Sequence, residues 1–421
     1  MRQTFAAFRY RNYRILWLSM AASFTAMQMQ MVARGWLAHD ISGTNAAVGV
    51  VMLSWGIPQL LFSLVGGAYA DRMDKRLLLT ITQTLVGLTA LATAVLITID
   101  VISIPWLFAL GLLQGTVFAF NMPARQALVP ELVPREELAN AIALNNAAMN
   151  GTRVFAPAVA GVLMVALGVD IVFYLQAALN FGVVAILWQL PRSTAHLAGA
   201  TERRNVAREI GVGLRYLWAS PALRLLMLMA FVPSLVGMPY ITLLPGFAAE
   251  ELHVGSGAYG VLLAVSGVGA LAGSLAIAWL GHTRRLPLLQ ALLGFGFGLS
   301  LVTLGLLAAW FGYSGALVAQ VTLGLASTGY MTVNSTMLMA NSDPALHGRV
   351  MSIYMLTFSV FPLMSAPLGA LADRTSASAT FILLGALIAA FMALVAIASP
   401  GRLLHPEPAR RAPAPVTAGD D

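Results

Sequence analysis

The residues able to do chemistry in this chain are a few polar side chains set inside long apolar runs. Arg34 and Arg153 are the sharpest. An arginine at the centre of a membrane helix costs roughly 2.5–3.5 kcal/mol on insertion scales, so each needs a physical reason. Asn146, Asn150, Arg153 and Pro157 recur at helical spacing along one run. Ser19, Ser23, Gln30 and Arg34 share a face of another, with Gln28 on a neighbouring face. Gly111, Gln114, Phe118, Asn121 and Arg125 line a third, and Gln320, Ser327 and Asn334 a fourth. Ser234, Tyr240 and Thr242 sit among Pro233, Pro239 and Pro245, which predict bends. Guanidinium and amide groups without acids suit recognition of an anionic or polar organic molecule. Arg34 lies in the outer third of its run and can alternatively snorkel to water.

What is missing narrows the chemistry further. No Asp or Glu falls inside an apolar run, so a cationic ligand has no obvious counter-charge. The usual proton carrier of a pump, a buried carboxylate, cannot be named either. There is no Cys, and the six His have no metal-ligand spacing. The Met27–Met31 run reads as adaptable packing, because thioethers without Cys or His make a weak metal site. No Ser-His-Asp arrangement, HExxH motif or phosphate-binding glycine loop is present, which argues against an enzyme and against ATP-driven work by this chain. No cofactor and no metal are expected.

The elements that must hold these residues are membrane helices. The chain is 59% hydrophobic and only 10% charged, against about 25% charged in soluble domains. At ~20 residues per crossing, an all-α membrane protein of twelve transmembrane helices is expected. Spans are placed near 14–38, 46–70, 77–99, 105–125, 139–167, 171–190, 222–247, 257–280, 286–311, 315–340, 349–371 and 377–398. A net charge of +7 would suit nucleic acid, but the basic residues fall in loops on one side. All but Arg34, Arg153 and Arg374 of the 24 Lys and Arg lie on that side, which predicts cytoplasmic termini.

Residues 191–221 form one long polar break. Val206 to Trp218 is amphipathic and predicts a helix lying on the inner leaflet, with a plain linker as the alternative. Residues 400–421, rich in Pro, Ala and Arg, read as a disordered tail. The resulting plan is a six-helix bundle over 1–190, a linker over 191–221, a second bundle over 222–399 and the tail. A shift of 210 lays Pro134 on Pro344 and Pro157 on Pro367. It also lays Arg14-Ile15-Leu16 on Arg224-Leu225-Leu226, and the charged loop at Asp71 on Gly281–Arg285. Two parallel repeats with a site between them are an established transporter plan.

The stretch Gly67-Ala68-Tyr69-Ala70-Asp71-Arg72-Met73-Asp74-Lys75-Arg76 separates two uncharged runs and must turn at a water surface. Gly67 is expected to let two helices approach closely. The stretch resembles the signature loop between helices two and three of the major facilitator superfamily, through Gly67, Ala70, Asp71, Arg72, Lys75 and Arg76. Pro123–Pro134, Glu137–Ala141 and Asp343–Ser352 resemble the branch with enterobactin-type siderophore exporters and macrolide efflux pumps. Thr152, Ala156, Pro157, Ala160 and Gly161 resemble the antiporter motif of span five, a close-packed contact. Leu107, Gln114 and Gly115 resemble the span-four motif, although Gly111 stands where that motif has Arg, a place that Arg153 or Arg34 could fill.

The resemblance implies two pseudo-symmetric bundles rocking about a central cavity. Helices one, four, seven and ten would line it with Gln28, Gln30, Arg34, Gln114, Asn121, Tyr240, Tyr330 and Asn334. Asp71 would latch onto the inner end of span eleven near Gly348 and Arg349. The expected function is export of a small organic molecule across the bacterial inner membrane by proton-coupled antiport, as a monomer in the lipid bilayer. An importer of a siderophore or organic anion and a macrolide-type multidrug pump are the alternatives.

Overall fold

The structure, a computed structural model, describes residues 5–191, 206–280, 286–343 and 346–398. The expected tail, the charged turn at Gly281–Arg285, Pro344, and the side chains of Asp71, Arg72 and Gly348 lie outside the described residues.

The described elements are helical, because backbone polar groups in hydrocarbon must be satisfied within the segment itself. The first half comprises α1 (Arg11–Ser42), α2 (Asn45–Arg72), α3 (Lys75–Thr98), α4 (Ile104–Leu132), α5 (Leu138–Leu167) and α6 (Val169–Leu187). A surface helix, α7 (Val206–Ala219), follows. The second half comprises α8 (Pro221–Val236), α9 (Tyr240–Gly246), α10 (Ser256–Leu280), α11 (Leu286–Ala340), α12 (His347–Ser359), α13 (Phe361–Arg374) and α14 (Ala377–Ala398).

Eleven helical stretches among the described residues are long and apolar enough to cross a membrane. One of them, α11, has 55 residues, about 80 Å at 1.5 Å per residue. That is more than twice the ~30 Å hydrocarbon thickness. It breaks at Gly312, where φ is 57°, a left-handed value that glycine takes without a side-chain clash. The limbs 286–311 and 313–340 are each long enough to cross.

Prolines shape the other bends. The seventh crossing breaks between Val236 and Tyr240 and resumes as α9, which passes into a π-turn at Phe247–Glu251. Pro239 has no N–H to continue the ladder, and it disfavours helical backbone at the residue before it. Likewise α12 gives way to α13 at Val360, just before Pro362.

The charged stretch after Gly67 is mostly helix. Only Met73 and Asp74 separate α2 from α3, and the Asp74 carboxylate caps α3 by accepting from the Arg76 N–H at 3.0 Å. Lys75 therefore sits at a helix N-terminus, the unfavourable end for a cation. A 2.8 Å ion pair with Glu131 of α4 offsets this. A side chain on Gly67 would meet nothing within 4 Å. The close approach expected there is made one residue earlier, where a Cβ on Gly66 would overlap the Ala119 carbonyl of α4.

α7 turns Gly213 and Leu217 toward the second half, with Gly213 against Ile353 and Arg349 of α12. Val212, Leu214 and Trp218 are exposed, as on a helix that lies along a lipid surface.

Candidate functional site

The two halves meet through α2 against α13 and α5 against α10. Small residues make both contacts possible. A Cβ on Gly49 would overlap the Ser365 carbonyl, and one on Gly56 would lie 2.5 Å from Pro362. On the other seam, Gly260 sits against the Pro157 carbonyl, Gly161 against Gly257 and Gly260, and Gly267 against the Arg153 carbonyl. Ala156 and Ala160 are fully buried there.

Polar contacts close the face remote from the Lys75 turn. The Asp373 carboxylate of α13 accepts from the Asn45 and Ala46 N–H groups at the start of α2, at 2.7 and 2.9 Å. His39 of α1 pairs with Glu250 at 3.3 Å, and Trp36 of α1 stacks on Tyr259 of α10. Along α2 beyond Gly56, toward the Lys75 turn, Leu61, Phe62, Val65 and Tyr69 are exposed. The halves are thus clasped at the end remote from the Lys75 turn.

Arg153 borders the space between them. Its side chain is exposed, and its electrostatic partner is the phenol of Tyr240 on α9, which is hydrogen-bonded to Ser266 of α10. Asn146 is exposed and Asn150 half-buried on the same α5 face. Gln28 is half-buried on α1.

The stripe on α1 has a different destination: it turns into the first bundle. Gln30 and Gln114 exchange side-chain hydrogen bonds at 2.5 and 2.8 Å, and Arg34 donates to the same Gln114 oxygen at 2.6 Å. Gln176 of α6 donates to Gln30 at 2.7 Å. A Cβ on Gly111 would overlap the Ser54 hydroxyl and lie 3.6 Å from Arg34 Nη1. The absence of a side chain at 111 therefore leaves room for the Arg34 guanidinium beside Gln114.

A second cluster lies one to two turns nearer the basic face. Arg125 is 2% exposed; it donates to Asn121 at 2.8 Å and to Ser23 at 2.8 Å. Asn121 donates to Thr82 at 2.7 Å, and Gln83 donates to Ser23. Sequence alone groups Arg125 with the loop cations. The structure buries it because α4 runs on to Leu132, through Pro123 and Pro130. Gln83, Gln176 and Asn180, which the helical stripes on α1 and α4 do not include, join the same polar region. Their signal was present, an amide inside an apolar run, with Gln176 and Asn180 one helical turn apart.

In the second half, Tyr330 donates to the Met229 carbonyl and Asn334 to the Leu226 carbonyl at 3.1 Å. Both are about 1% exposed. They tie α11 to α8.

The comparisons agree with this architecture. The family model described as transmembrane secretion effector matches residues 2–413. The staphyloferrin A transporter of Staphylococcus aureus is 26% identical over 345 residues, covering 80% of this chain and 84% of that protein. The multidrug efflux pump Tap of Mycolicibacterium fortuitum is 26% identical, covering 84% and 87%. The enterobactin exporter EntS of Escherichia coli is 25% identical, covering 83% and 80%. Among solved structures, the nucleoside transporter NupG superposes with a TM-score of 0.73 at 13% identity, covering 94% of this chain and 100% of that one. The helices, the glycine-packed seams between two halves and the family match make this chain a member of the transmembrane secretion effector family of major facilitator superfamily transporters.

Proposed function

We propose that this protein exports a small organic anion across the bacterial inner membrane by alternating access, as a monomer with both termini cytoplasmic. The observation that carries the reading is the charge pattern. Arg34, Arg125 and Arg153 lie within spans, and no carboxylate lies in a span interior to neutralise them. An anion supplies the missing charge, and guanidinium forks match carboxylate geometry. The printed names of two relatives, a staphyloferrin A transporter and an enterobactin exporter, support a siderophore-like cargo.

In this reading the state clasped through Asp373, Glu250 and His39 is the loading state, open to the cytoplasm. Rocking about the seams at Gly49–Ser365 and Gly161–Gly257 exposes the load outside. Protons are the proposed exchange partner. A net anion leaving the cell is also helped by a potential that is negative inside, by ~2.3 kcal/mol per charge per 100 mV. That reduces the need for an intramembrane acid. The Tap relative and the apolar wall of Phe24, Met27, Trp55, Phe118 and Met122 favour a second reading, extrusion of amphiphilic drugs.

Everted vesicles incubated with a panel of siderophores and antibiotics in the medium, with and without a protonophore, test this. Uptake of anionic compounds that collapses with protonophore and is lost in Arg153→Ala, at unchanged expression, is the expected result. Wild-type uptake by Arg153→Ala would remove Arg153 from the site, and selective uptake of cations would overturn the anion reading.

A further inference from the structure

A cleft is lined by residues of the first bundle. Arg125, Asn121, Gln83, Ser23, Gln114 and Gln176 make one wall. Trp55, Phe118, Phe24 and Met122 make the other, with Trp55 and Phe118 in ring contact at 5.2 Å. Two observations show that the polar wall is unfinished. Arg125 Nη1 and Gln176 Oε1 are buried without a hydrogen-bond partner among the described residues, as is Arg34 Nε behind Gln114. And every partner found for the Arg125 guanidinium is neutral, Asn121 and Ser23. A buried guanidinium with an unfilled donor and no counter-ion among the described residues is costly, and the cost is relieved when an anion arrives.

We infer that this cleft is an anion subsite, in which Arg125 takes the carboxylate of an aromatic organic acid while the ring rests on Trp55 and Phe118. The inference rests on the export reading above and sharpens it to a substrate class. Size sets the part that enters. The free volume is about 50 Å³, where one ordered water needs about 10–15 Å³. A carboxylate head fits; the body of a larger molecule stays at the mouth. The charge-assisted bonds from Arg125 Nη1, with the Asn121 and Gln83 amides close by, give the head its affinity. The aromatic wall selects its body.

The decisive variant is Gln83→Glu. Gln83 and Arg125 both donate to the Ser23 hydroxyl, so an isosteric carboxylate at 83 gives Arg125 an internal counter-ion without removing any side chain from the wall. Full-length protein in detergent is titrated with benzoate, acetate and sodium chloride by calorimetry, alongside its melting temperature. Wild type is expected to bind benzoate more tightly than acetate, with chloride a poor competitor. Gln83→Glu is expected to weaken benzoate at least about tenfold, the loss of one charge-assisted pairing, while melting at or above the wild-type temperature. Arg125→Lys, which keeps the charge and loses the fork, should fall between. Benzoate binding unchanged in Gln83→Glu overturns the inference, and so does chloride displacing benzoate at equal concentration. Loss of binding in Arg153→Ala but not in Gln83→Glu also overturns it, yet leaves export of anions standing, since the central space then holds the load. Absence of benzoate binding to wild type overturns the subsite alone; the vesicle assay judges export separately.

Discussion

The clasp at the closed face sets a conformational balance that can be measured. Asp373 of the second half caps α2 of the first, accepting the Asn45 and Ala46 N–H groups at 2.7 and 2.9 Å. Both are among the N–H groups a helix leaves unsatisfied at its start, and the helix dipole favours the carboxylate there. Asp373→Asn keeps the shape, removes the charge and turns one acceptor into a donor. Hydrogen bonds to a charged group are worth ~1.5–3 kcal/mol. The site is open to water on one side, so ~1–2 kcal/mol is the fitting figure, a 5- to 30-fold change in the ratio of closed to open molecules. The chain has no Cys, so spin labels can be placed without removing native thiols. Ile41→Cys at the end of α1 and Gly255→Cys before α10 report across the clasp. Ile41 is exposed, and a Cβ at Gly255 meets nothing within 4 Å. Pulsed electron spin resonance should show a dominant short distance in the unsubstituted background. Asp373→Asn should transfer population to a longer distance by the stated factor. A change below about twofold would refute the clasp as an energetic contact and leave it a consequence of packing at the glycine seams.

The seams and the turn give further expectations. Gly49→Val drives a branched side chain into the Ser365 carbonyl, so the same label pair should report the long distance as the main population. Gly66→Ala should lower the melting temperature in detergent, at an overpacking cost of ~1–3 kcal/mol. Gly67→Ala, with open space at its Cβ, should melt as wild type; equal effects at 66 and 67 would contradict the α2–α4 packing described. Lys75→Met breaks the pair with Glu131, whose side chain is 23% exposed. It should destabilise by ~1–3 kcal/mol, less than a fully buried pair because water reaches the acid. A melting temperature unchanged from wild type would show that the pair contributes nothing.

Hydrophobic run length, the positions of Gly and Pro, and the one-sided placement of Arg are local properties, and they determined the all-helical membrane plan, the helix order and the break near Pro239; the break before Pro362 came only with the structure. The helical-period stripes also identified most of the polar groups that matter, including Gln30, Arg34, Gln114 and Asn121. What a stripe faces is a different question. Period alone says that Ser23, Gln30 and Arg34 share one side of α1; it cannot say whether that side meets the central space or α3, α4 and α6. The tertiary packing decided it, by bringing Gln114, Gln83 and Gln176 from distant parts of the chain onto that side. The same holds for Tyr330 and Asn334, whose partners are backbone carbonyls of α8, and backbone groups carry no residue-specific signal. Arg125 needed the length of α4, and Asp373 needed the start of α2, more than three hundred residues away. Helix periodicity is written in neighbours three and four apart, whereas a binding cleft or a clasp is made by whichever helix arrives opposite.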